Sequence, residues 1–159
     1  MKKLYYAALL YTILGLAGGL FYREFTHLNN FTGDTQLAVV HTHFLVLGMV
    51  FFLGVIVFER VFSLSRSKLF NWFFWTYNVG LIWTGTFLTF NGINTVLGNS
   101  VSTAVAGMSG VGHILHTVAL VLFFICLRPF LFGEISKQEA APATRQLLDV
   151  NGQTASTLS

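Results

Sequence analysis

Four apolar stretches, at 4–22, 37–58, 70–90 and 108–132, decide what this chain can fold into. Each is close to the roughly 20 residues that a helix needs to cross the hydrocarbon core of a bilayer. None contains Asp, Glu or Lys, and Arg128, near the end of the fourth, is the one Arg among them. Of the 159 residues, 54% are hydrophobic and 9% charged. Soluble domains carry about a quarter charged residues, so an ordinary water-soluble fold is excluded. The expected architecture is all-α: one four-transmembrane-helix bundle over 1–133, with the lipid bilayer as its first partner. The Ala-, Thr-, Gln- and Ser-rich segment 134–159 is expected to be a flexible cytoplasmic tail.

The basic residues act as topology signals. Lys2 and Lys3 precede the first span, Arg60, Arg66 and Lys68 separate the second from the third, and Arg128, Lys137 and Arg145 end or follow the fourth. Only Arg23 falls on the other side. Positive residues accumulate on the cytoplasmic face, so both termini and the 59–69 loop are expected there. Such dispersed charges do not form a nucleic-acid patch. Lys2-Lys3 before an apolar run also opens a signal peptide, but no small-x-small cleavage pattern follows, and an uncleaved first helix is expected. Segments 23–36 and 91–107 are then external. Cys126, alone and flanked by apolar residues, is expected to pack.

The exceptions to this apolar pattern are histidines. His41 and His43 sit about a turn inside the second span from its outer end, and His113 and His116 hold a matching depth in the fourth. His27 lies in the first external segment. Ionisable groups inside a membrane are costly and are functional candidates by default. Residues two apart on a helix differ by about 200°, so His41 and His43 point to nearly opposite faces and serve different sites. His113 and His116, three apart, share a face. They hold one ion together, or one ligates while the other hydrogen-bonds. The plain alternative for all four is a set of histidines hydrogen-bonded between helices. Imidazole suits haem iron, copper and zinc alike. A structural zinc site wants Cys or carboxylate partners, which this depth lacks. The Phe-rich surroundings fit a flat porphyrin.

The segment "VVHTHFLVLGMVF", 39–51, resembles the part of the haem–copper oxidase and nitric oxide reductase core subunit that carries a His-x-His pair on one transmembrane helix. In that family one histidine ligates a low-spin haem and the other a high-spin haem on the opposite face. The resemblance implies such roles for His41 and His43. That core has twelve helices in three arcs of four, and a homotrimer of this chain would reproduce the layout. The whole chain is also similar to a small bacterial family of four-helix membrane proteins of unknown function. It lacks the adjacent His-His pair of the oxidase copper site and an identifiable cross-linked tyrosine. His113 and His116 have no oxidase counterpart. Haem ligation is therefore implied more directly than oxygen or nitric oxide reduction.

The expectation is a multi-pass protein of the bacterial plasma membrane that binds b-type haem (heme b) near its outer face. Copper is the second candidate. His41, His43, His113 and His116 are the metal and cofactor residues, and Arg23 is a partner for haem propionates, where a guanidinium is the best geometric match. Its role is redox chemistry or electron transfer with a donor of unspecified identity, or diatomic-gas binding, as in a haem-dependent oxidoreductase. Axial ligands come from helices 2 and 4 of one protomer, or from two protomers at a boundary. The alternative is a copper or zinc transport or chaperone protein using the same histidines. His27, Glu24 and Asp34 read as surface groups. Asn71, Tyr77, Asn78 and Thr84 are expected to face other helices, and Trp72 and Trp75 to anchor at the interface.

Overall fold

The computed structural model describes residues 1–100 and 103–156, with side chains described up to Phe132 except at 104 and 106. It is all-helical: α1 Lys2–Leu28, α2 Leu37–Phe62, α3 Leu69–Val96 and α4 Thr103–Ser156, with a short 3-10 turn at Leu64–Arg66. Within 134–159, where the sequence predicts a tail, α4 is described as helical backbone to Ser156. The side chains of that segment lie outside the described residues.

Two boundaries differ from expectation for local reasons. α1 continues past the apolar stretch through "REFTHL", so Arg23, Glu24 and His27 stand on helix rather than in a loop. It ends where Asn29 Nδ2 bonds the Phe25 carbonyl at 2.8 Å and Asn30 adopts φ 49°, a left-handed conformation that Asn tolerates. At 27 residues it is about 40 Å long, enough for the core and part of the headgroup zone. α2 runs on to Phe62 and stops at Ser63, also left-handed. There the buried Glu59 carboxylate accepts the Ser65 N–H at 2.8 Å, as well as the Ser65 hydroxyl.

A third difference lies inside α2. Between Leu37–Thr42 and Phe51–Phe62, the stretch His43–Val50 is a π-helix. π turns are rare and recur at functional sites.

Three helices are long and apolar enough to cross a membrane: Lys2–Leu28, Leu37–Phe62 and Gly107–Phe132. The third expected span corrects to one of sufficient length but lower hydropathy, because Asn, Thr, Tyr and Trp dilute α3. These groups turn inward where it matters. Tyr77 is 1% exposed and Thr84 3%, while Trp72 and Trp75 point outward at 69% and 60%. α3 is thus the centre of the molecule. α1 packs mainly on α2, α2 also packs on α3, and α3 makes its most extensive contact with α4. Aromatic rings join them: Tyr11 stacks on Phe52, Phe51 stacks on Tyr77 at 4.4 Å, and Phe123 of α4 meets Phe73 at 5.1 Å. Where α3 and α4 cross, a Cβ on Gly80 would stand 3.4 Å from the Gly112 carbonyl oxygen, so small residues set the separation. Cys126 is buried, with Sγ 3.5 Å from Ser67 Oγ.

Candidate haem-ligating histidines

His41 lies against α1: a Cβ built on Gly19 would stand 3.6 Å from the His41 Cβ, and one on Gly15 would stand 3.4 Å from its carbonyl oxygen. Its Nδ1 is buried and has no hydrogen-bond partner. Buried polar atoms are nearly always satisfied, so an orphan imidazole nitrogen marks a place where a further group belongs.

His43 begins the π stretch, and its Nδ1 lies 2.8 Å from the carbonyl oxygen of Val39. His116 repeats the arrangement on α4, with Nδ1 2.8 Å from the Gly112 carbonyl oxygen. A carbonyl only accepts, so Nδ1 carries the proton in both rings and Nε2 keeps its lone pair. That is how iron- and zinc-ligating histidines are held, with the second nitrogen anchored to a carbonyl or carboxylate. The His116 Nε2 is buried and unpartnered. His43 and His116 thus stand on α2 and α4 with the same Nδ1 anchoring, while His41 stands on the α1 side.

The other candidates divide. His113 is exposed, so it does not share the packed environment of His116 three residues on. Arg23 pairs with Glu24 at 3.9 Å, the two side chains being 80% and 62% exposed. It falls one turn beyond Gly19 on the same face of α1, outward of His41. His27 is exposed in the last turn of α1. Met108 is exposed as well.

Tyr77 is the neighbour that sequence reasoning left as a generic polar group. Its ring meets His116 edge-on at 4.9 Å, and its hydroxyl donates to the Leu47 carbonyl, inside the π stretch, at 2.8 Å. Its position in the middle of an apolar span was the available signal. Tyr11, on the far side, donates to Asn78 Oδ1 at 2.7 Å.

Among the described residues, no three or more His, Cys, Asp or Glu are grouped so as to hold a metal ion. A bare copper or zinc ion needs several protein ligands. A porphyrin brings four nitrogens of its own and asks the protein for one or two. One or two histidines with Nδ1 held by a carbonyl, as in His43 and His116, fit the second requirement and not the first.

No curated protein and no solved structure matches the chain. Residues 1–129, which include all five histidines, match one family throughout. The chain belongs to the family described as Protein of unknown function (DUF2871).

Proposed function

We propose that this chain is a membrane-embedded b-type haem protein serving electron transfer, or diatomic-gas binding where one axial position is left open. The observation that carries the reading is the common anchoring of His43 and His116. Each ring is fixed through Nδ1 to its own helix, which leaves Nε2 as the free ligand atom. When bound, the haem supplies a one-electron iron couple. The protein's part is to present imidazole from α2 and α4, to exclude water with Phe51, Tyr77 and Phe123, and to orient His116 through the Tyr77 ring. His43 and His116 would hold the haem within one protomer. His41, on the α1 face, would hold a group there or at a protomer boundary, with Arg23 one turn outward as a propionate partner.

The packing of helices in chain order supports an arc-like protomer, and three such arcs in a homotrimer would restore the oxidase-like layout. The Lys and Arg pattern supports a multi-pass membrane protein with both termini cytoplasmic, and the plasma membrane of a bacterium is where the resemblance would put it. A copper or zinc carrier is disfavoured by the lack of a three-ligand group among the described residues.

The test is an absorption spectrum of the full chain, purified in detergent from cells supplied with porphyrin precursor. A Soret band with sharpened bands on dithionite reduction is expected, and His43→Ala and His116→Ala should each lower bound haem at least tenfold. Carbon monoxide then reports an open axial position. Colourless, iron-free protein overturns the reading, and so does full haem retention in both variants.

A further inference from the structure

The second feature of this molecule is a groove on the other side of α3, away from the histidines. It has a volume of about 720 Å³ and runs between α1 and α3, lined by Tyr6, Leu10, Trp75, Val79 and Phe87 among others, with Lys3 among the lining residues toward the start of α1. Its walls are almost wholly apolar, apart from the Tyr11–Asn78 pair on its floor. The Lys3 ammonium is not loose. It sits 4.8 Å from the centroid of the Phe74 ring and 5.0 Å from that of Phe70, and donates to Asn71 Oδ1 at 3.2 Å. Beside it a smaller cavity of about 340 Å³ is lined by Lys2, Tyr5 and Arg60, and Tyr6 borders both.

Lys3 thus lies at the groove, Lys2 and Arg60 line the cavity next to it, and among the described residues none of the three has a carboxylate partner. The nearest carboxylate in sequence, Glu59, is taken up by Ser65. We propose that this groove is a binding site for an anionic phospholipid, whose acyl chain lies along α1 and α3 and whose phosphate is met by Lys3, with Lys2 and Arg60 adjacent. Basic pockets at the ends of transmembrane helices recognise anionic headgroups, each Lys or Arg contributing about fivefold in affinity. A neutral lipid would satisfy the groove but leave the cations unpaired. Because the groove and the histidines lie on different faces of α3, lipid retention and haem retention are measured independently.

The full chain in non-ionic detergent, mixed with phosphatidylglycerol or phosphatidylcholine at equal concentration, is to be read by native mass spectrometry. Phosphatidylglycerol adducts should exceed phosphatidylcholine adducts. Lys3→Gln should lower the former about fivefold and leave the latter unchanged. Val79→Trp, at a position 52% exposed in the groove wall, should lower phosphatidylglycerol retention without lowering the unfolding temperature. Equal retention of the two lipids overturns the proposal. It is also overturned if a neutral isoprenoid co-purifies regardless of Lys3→Gln, or if Val79→Trp splits an oligomer, which would make a second copy the occupant.

Discussion

Gly48 touches the side chain of Tyr11 so closely that a Cβ there would overlap its Cβ and Cγ. Tyr11 is fully buried and committed to Asn78, so it has nowhere to retreat. Gly54, six residues on, would place a Cβ within 4 Å of nothing. Gly48→Ala is therefore expected to cost about 1–3 kcal/mol through overpacking. Gly54→Ala should leave stability unchanged or raise it, since Ala is the better helix former. Thermal unfolding of both variants in one detergent checks the contrast, and equal effects would show that α1 and α2 are not packed at Gly48. At this scale the sequence was most informative about the histidines. The i, i+2 spacing predicts opposed faces for His41 and His43, and the structure places His41 against α1. The sequence did not carry the difference between His113 and His116. They share a helix face, yet only His116 is packed against Gly80 and Tyr77, and that depends on where α3 crosses α4.

Within α2, the π stretch His43–Val50 begins at His43 and brings the Leu47 carbonyl to Tyr77. A π turn holds one more residue than an α turn, so one deletion here returns the stretch toward α geometry. The same deletion in the regular part of the helix rotates everything beyond it by about 100°. Deleting Val46 should therefore lower the unfolding temperature less than deleting Val57, and on the proposed haem reading it should also change the reduced spectrum through His43. Equal losses would mean that the stretch absorbs no slack. The sequence reading missed this feature for a physical reason. "HFLVLGMV" is apolar on every side apart from its first residue, so it carries no hydrophobic stripe whose phase could reveal a change of period. α1 was missed at its end for the opposite reason: Arg23, Glu24 and His27 look like loop on hydropathy but are compatible with helix, and Asn29-Asn30 supplies the stop.

For the molecule as a whole, the weakest membrane span by hydropathy is the best buried helix. α3 carries Asn71, Tyr77, Asn78, Thr84 and Asn91, yet Phe70, Phe73, Tyr77, Leu81 and Thr84 are nearly inaccessible. Polar groups in lipid are tolerated when other helices satisfy them, and here Asn78 receives the Tyr11 hydroxyl while Asn91 donates to Ser109 Oγ at 3.0 Å. Their composition alone was readable as a helix facing other helices; which partner each side chain meets was not, because that depends on how α1 and α4 dock. The consequence is topological. With α3 across the membrane the spans number four, and both ends of the chain lie on one face. Were α3 left out, the spans would number three and the ends would lie on opposite faces. Reporter fusions after residues 65, 99 and 133 distinguish the two. The expected result is that 65 and 133 report the cytoplasm and 99 the outside, in agreement with the Lys and Arg distribution. Replacing Asn78 with Asp should shift a fraction of molecules to the three-span pattern, because a carboxylate next to Tyr11 is far costlier to insert than an amide. If the fusion at 133 instead reports the outside in the unaltered protein, α3 does not span, and neither the histidine pairing across α2 and α4 nor the lipid groove beside it can form.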